Sequence, residues 1–308
     1  MSNLTDLLPA GAGGKQVSFV ASGTIGNGVT VALNSNGTVS TIVETAIPSS
    51  VGAETVAYSN SETNITATYH PPSGKIVVAF YNNNTTYLSA LVGTVSGSSI
   101  SFGTLVTTSN PGGAESAVYD PTSEKIVLGV TYYSYRRITT ISVSGNLPVF
   151  SGVYSDYEGQ GLSSNTGKAA LSYDPTNGVI VVAYENRYDR IAVRTFQTGT
   201  LTFGDNYLPY GTSTSAQYGF DINYLPDIDR HVVVYDTNST SAYYFNILTV
   251  SASTGANIAF TSSAVFQSGI YASRNFSMAF DETSNYLVCS IQGGASSYNG
   301  LARGYKLS

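Results

Sequence analysis

Short apolar runs, some alternating with polar residues and some continuous, recur along the chain between clusters of Gly, Pro, Asn, Asp and Ser. Such runs predict β-strands. Residues 169–173 (AALSY) predict a strand of the alternating kind. The β-branched runs at 76–80, 126–130, 179–184 and 232–235 predict strands of the continuous kind. Residues 88–95 predict a third type of strand, and residues 100–102 and 201–203 a short fourth. No stretch carries a helical period, and the prolines fall at turns.

These elements repeat. Tyr69-His70-Pro71-Pro72 aligns with Tyr119-Asp120-Pro121-Thr122 and with Tyr173-Asp174-Pro175-Thr176. Weaker copies are Tyr224-Leu225-Pro226-Asp227 and Phe280-Asp281-Glu282-Thr283. In the second and third copies Asp takes the first turn position and Pro pre-sets φ at the second. In the fourth copy Leu225 and Asp227 replace that chemistry, so its tight turn is not expected from the residues. Five copies of roughly 50 residues, each with four antiparallel strands, are the pattern of β-propeller blades. The expected fold is therefore all-β, a five-bladed β-propeller. The last copy has three predicted strands, and residues 36–43 (NGTVSTIV) resemble residues 98–105 (SSISFGTL). The N-terminal strand is expected to complete the last blade and close the ring, which removes two exposed edges. This divides the chain into residues 1–35, an arm followed by a hairpin of residues 16–20 and 29–33, and residues 36–308, the propeller.

Composition then narrows the chemistry. Lys and Arg number 13 and Asp and Glu 19, for a net charge of -6 among 308 residues. A partner held through its phosphates needs clustered basic residues, so nucleic acid is not expected. One cysteine, Cys289, excludes an internal disulfide framework and a cysteine zinc site, and two histidines exclude a three-His metal site. No apolar run approaches the ~18 residues of a membrane-spanning helix, and the N-terminus has no apolar signal core. Synthesis in a cytoplasm, with no membrane insertion and no cofactor, is the expectation. No G-x-S-x-G, P-loop, CxxC or HExxH occurs, so the protein is not expected to be an enzyme. The absence of Trp argues against WD-repeat and Asp-box sialidase families.

Residues 90–103 (ALVGTVSGSSISFG), followed by Tyr-Asp-Pro-Thr and a Val/Ile run ending in Ala-Tyr, are similar to blade repeats of marine phage structural and tail-fibre-like proteins. Residues 4–11 (LTDLLPAG) through 19–23 (FVASG) resemble leaders of such proteins in cyanophage-like viruses. The resemblance covers nearly the whole chain. It implies a virion component, oligomeric in the particle: a fibre, a head decoration or an adhesin. A virion also reconciles cytoplasmic synthesis with a low-charge surface rich in Tyr, Ser, Thr and Asn. The arm cannot bury its own Leu4, Leu7 and Leu8, which with Pro9 form the candidate virion-docking peptide.

Candidate chemistry follows from the repeats. His70 shares its position with Asp120 and Asp174 and is expected as a surface turn residue. His231 opens a strand and is expected to be half-buried. Asp120, Asp174 and Asp281 are expected to serve turns rather than a metal. A glycan hydrolase would need two carboxylates roughly 5–10 Å apart, and the candidates are Glu54, Glu115 and Asp221. Binding is favoured over hydrolysis. The loop between second and third strands holds a tyrosine in every repeat: Tyr87, Tyr135, Tyr188, Tyr243 and Tyr298. With Arg136, Asp189 and Asn299 they are the candidate ligand face, where rigid apolar plates carry polar edges suited to a sugar. The expected function is host-surface glycan attachment by a non-enzymatic virion protein; the alternatives are a decorating protein without a ligand and a glycan hydrolase.

Overall fold

A computed structural model describes residues 20–26, 31–41, 54–59, 62–132, 135–155, 169–185, 191–204, 220–239, 242–252, 258–270, 276–281, 286–292 and 300–306. The chain divides into two compact units, Met1–Val51 and Gly52–Ser308.

The first unit holds β1 (Val20–Ala21), β2 (Val31–Leu33) and β3 (Thr38–Thr41). Strand β3 lies between the other two, parallel to β1 and antiparallel to β2. The turn into β3 is set by Asn36, whose Oδ1 accepts from Thr38 N–H at 3.1 Å and from Thr38 Oγ1 at 2.7 Å. One expectation is corrected here: residues 31–33 and Val20, the expected hairpin partners, each pair with β3 and not with one another. Within this unit β3 has β1 along Thr38 and Val39 on one edge and β2 along Val39–Thr41 on the other.

The second unit is all-β and carries the repeats. The first repeat has β4 (Glu62–His70), β5 (Lys75–Asn82), β6 (Tyr87–Ser96), β7 (Ser99–Phe102) and β8 (Val106–Pro111). The second has β9 (Gly113–Asp120), β10 (Lys125–Tyr132), β11 (Tyr135–Ser144) and β12 (Leu147–Ser155). The third has β13 (Ala169–Asp174), β14 (Val179–Glu185), β15 (Ile191–Gln197) and β16 (Thr202–Phe203). The fourth has β17 (Phe220–Leu225), β18 (Arg230–Ser239), β19 (Ala242–Ala252) and β20 (Ile258–Ile270). The fifth has β21 (Phe276–Asp281), β22 (Tyr286–Gln292) and β23 (Gly300–Lys306).

Within each repeat, consecutive strands pair antiparallel into one sheet. The first sheet has an addition: β7 and β8 share the outer edge of β6, at opposite ends. The turn between first and second strands is described in the first four repeats. Its closing residue is left-handed in four repeats: Gly74 and Gly178 at φ 65, Glu124 at 53 and Asp229 at 51. Asp229 shows that the fourth repeat makes the turn without Asp-Pro, as a 3₁₀ turn Pro226–Ile228 matching Pro71–Ser73.

The continuous runs of β10, β14 and β18 are buried on both faces, and the period of two sends their side chains to different neighbours. Along β14, Val179, Val181 and Ala183 join a cluster with Phe220, Ile222 and Val233 of the fourth repeat. Ile180, Val182 and Tyr184 face the other way, onto Val127 and Ile138 of the second. A third cluster joins the first and second repeats, and a fourth, with Leu225, Met278 and Cys289, joins the fourth and fifth. Burying each such aliphatic side chain contributes ~1.5–3 kcal/mol over leaving it exposed. The first strands also pack in order, β4 on β9, β9 on β13, β13 on β17 and β17 on β21. Among the described residues no comparable packing joins β21 back to β4.

Candidate functional site

The residues expected to carry chemistry are found mainly at the junctions between sheets. His70 is 4% exposed rather than a surface residue. Its Nε2 lies 3.1 Å from the Glu124 carbonyl and its Nδ1 2.8 Å from Ser73 Oγ. A carbonyl only accepts, so in the neutral ring Nε2 carries the proton and Nδ1 accepts from the serine. The ring also meets Tyr119 edge-on at 5.5 Å. His70 thus ties the first repeat's turn to the second's. Burial, then the carboxylates of Glu124 and Asp120, push the Tyr119 hydroxyl above its ordinary pKa.

The next junctions use the same positions. Thr122 Oγ1 and Tyr173 OH are 3.0 Å apart, joining repeats two and three. Thr176 Oγ1 lies 3.4 Å from Tyr224 OH and donates to Asp229 Oδ1 at 2.7 Å, joining three and four. Tyr224 OH donates to the same oxygen at 2.7 Å. Asp120 and Asp174 are each 2% exposed and cap their own turns. Asp120 accepts from Thr122 N–H at 2.8 Å and Ser123 Oγ at 2.7 Å. Asp174 accepts from the N–H groups of Thr176 and Asn177 at 3.0 and 2.9 Å. Asp281, at the end of β21, is exposed.

His231 is fully buried, not half-buried, with Nε2 3.5 Å from Asp174 Oδ2. It occupies the position held by Ile180 in the third repeat. Burial pushes the Asp174 carboxyl up, but the adjacent His231 ring and the hydrogen bonds from Asn177 outweigh it, and the group ends below its ordinary value. Cys289, also fully buried, has its thiol pushed up to about 12 by burial and by Asp221. A thiol so protonated is no nucleophile at neutral pH.

Two of the three candidate catalytic carboxylates serve the first strands. Glu115 Oε1 accepts from Asn64 Nδ2 at 2.7 Å and Thr131 Oγ1 at 2.6 Å, which joins β4, β9 and β10. Asp221 Oδ2 accepts from the Met278 N–H at 2.9 Å, joining β17 to β21. Ser116 Oγ accepts from the Leu171 N–H at 3.2 Å in the same way. Ser116 and Asp221 stand three residues before their repeat's tyrosine, Leu171 two before Tyr173, and Met278 two before Phe280, the matching aromatic. The tie is therefore a recurring device. Glu54 is exposed.

The loop face is only partly described. Tyr87, 37% exposed, opens β6 opposite Pro111. Tyr135 opens β11 opposite Tyr132. Arg136 is 3% exposed, so it does not face a ligand in solvent. Tyr243 lies within β19 opposite Asn238 rather than in a loop. The arms of that hairpin extend to Ser239 and from Ala242, as Thr and Tyr favour strands. Tyr188, Asp189, Tyr298 and Asn299 lie outside the described residues, as do Leu4, Leu7, Leu8 and Pro9.

The site that sequence reasoning missed is a groove of about 420 Å³ between β8 and β12, on the outer strands of the first and second repeats. One wall is polar, with Thr107, Ser109 and Asn110, and the other apolar, with Leu147, Val149 and Phe150. The two sheets are pinned at one end of β12, where Lys75 Nζ donates to Gly145 O at 2.5 Å and Asn146 Oδ1 at 2.6 Å. A Cβ on Gly103 would sit 2.1 Å from Asn146 O, so only glycine allows that approach. The available signal was weak: an alternation of apolar residues at 147 and 149, with both left exposed (43% and 45%).

No family model matches the chain, and a search of curated proteins finds no match.

Proposed function

We propose that this chain is a non-enzymatic attachment protein of a bacteriophage virion, its five repeats arranged as the blades of a propeller. In this reading residues 1–35 dock it to other virion proteins, and an exposed face takes host-surface glycan. One observation carries the non-catalytic part. Glu115, Asp221, His70 and the Asp174–His231 pair, the groups with most catalytic potential, hold neighbouring repeats together. The ordered packing of first strands and the shared core clusters support the blade arrangement. A low-charge surface supports a neutral, hydroxyl-rich ligand over a phosphate-bearing one.

The test is binding of the full chain to envelope polysaccharide from marine bacterial hosts, with reducing ends counted in the same tubes. Saturable binding without sugar release, lost when Tyr87, Tyr135, Tyr188, Tyr243 and Tyr298 become Ser, is the expected result. Sugar release that disappears in Glu115→Gln would overturn it in favour of a hydrolase. For docking, particles made without residues 1–15 are expected to lack the protein; normal incorporation would remove the arm's role.

A further inference from the structure

We propose that the groove between β8 and β12 is a binding site for a neutral saccharide segment of one or two rings, separate from the loop face. Its volume, about 420 Å³, lies within the ~300–1,000 Å³ of small-molecule sites. Three features choose the occupant.

The first is charge. No acidic or basic side chain lines the groove, and Lys75, nearby, is engaged with Gly145 and Asn146. A charged ligand would lose hydration with nothing to offset it. The second is the division of the walls. Leu147 and Val149 keep 43% and 45% of their surface exposed, on an edge strand where charged residues usually guard against aggregation. Opposite them stand the hydroxyls of Thr107 and Ser109 and the amide of Asn110. A pyranose ring has one apolar face of axial C–H groups and a rim of hydroxyls that both donate and accept. It meets both walls at once, its hydroxyls facing Ser109 and Asn110, while Thr107 Oγ1 is engaged with Ser89 Oγ at 2.8 Å. The third is that the groove is built open. The ladder of β11 and β12 shifts register between Thr139 and Ile141, and that of β6 and β8 between Tyr87 and Ser89. Bulges of this kind re-aim side chains beside functional sites. Thr139, fully buried at the groove, donates to the Gly152 carbonyl at 2.5 Å and fixes the bulged strand. With the Gly103–Asn146 contact, the walls are held apart before any ligand arrives, which lowers the ordering cost of binding.

The inference rests on the attachment reading only for the class of ligand; the location is independent of it. The experiment titrates the full chain with maltose, cellobiose and lactose by ligand-observed NMR and calorimetry. Digalacturonate serves as the anionic probe and acetyl-Thr-Val-Thr-Val-amide as the extended-peptide probe. At least one neutral disaccharide is expected to saturate with a millimolar dissociation constant, and digalacturonate to bind more weakly. Val149→Glu places a carboxylate on the apolar wall at an exposed position and is expected to weaken binding roughly tenfold or more. Val288→Glu makes the same change at a 41% exposed position of β22 and is expected to leave it unchanged. Saturation by none of the three disaccharides, or by the peptide instead, would overturn the proposal. Disaccharide binding that survives Val149→Glu but is lost in the five-tyrosine variant would overturn the groove and leave the loop face standing.

Discussion

The junction between the second and third repeats and the junction between the third and fourth use the same positions with different chemistry. At the former, the first strands are tied by Ser116 and the Leu171 N–H, and the turns meet through a neutral contact, Thr122 to Tyr173. At the latter, the residue matching Ser116 is Ala170, which has no acceptor to give. The turns carry more of the load there: Thr176 and Tyr224 converge on Asp229, and Asp174 meets the buried His231. A sheet-to-sheet junction can thus be fastened at either end of its strands. Fastening it through Asp174, whose carboxyl is held below its ordinary value, makes that junction sensitive to pH.

The largest test of this contrast is Asp174→Ala. It removes the acceptor for two backbone N–H groups and leaves His231 buried without its carboxylate. Removing one partner of a buried pair typically costs about 3–5 kcal/mol, and a loss in that range is expected in urea unfolding. The pH dependence follows from the same group. Its folded pKa is depressed, so its contribution is fully present above the ordinary carboxyl range near pH ~4. It is lost as pH falls through the unfolded and then the folded value. Stability of the native chain is expected to fall on going from pH 5 to pH 3, and Asp174→Asn to show a shallower fall. An equal slope in both would place the acid sensitivity elsewhere. Ser116→Ala, at the neutral junction, is expected to cost about 1 kcal/mol, the usual worth of one hydrogen bond, with no change in pH slope. The smallest effect is the converse change. Ala170→Ser supplies the missing acceptor opposite the Ile222 N–H and is expected to add about 0.5 kcal/mol, since Asp221 Oδ1 already bonds that N–H at 2.9 Å. A loss instead would show that the hydroxyl does not fit among Ala170's apolar neighbours.

The repeats were legible because their signals are local. Period-two runs, Asp-Pro-Thr turns and the aromatic residue before each turn need no knowledge of partners. What failed was whatever depended on a partner. Four residues, Thr38–Thr41, declare a strand but not what pairs with it. His70 looked like a turn residue at the surface because its burial is made by Tyr119 and Glu124 of the next repeat. Glu115 and Asp221 looked like candidate acids because the N–H, amide and hydroxyl groups they accept from are contributed by other strands. The groove was invisible for the same reason: its two walls stand some forty residues apart in the chain, and neither is distinctive alone.

Each hydrophobic cluster belongs to one pair of neighbouring sheets. Energetically each described sheet of the second unit is then coupled to its immediate neighbours. A substitution in β14 is felt by the repeats on either side and attenuates beyond them, so sequence drift is absorbed locally. Any duplicated repeat would bring both of its adhesive faces with it, which is how such an array can change length without having to invent a new core.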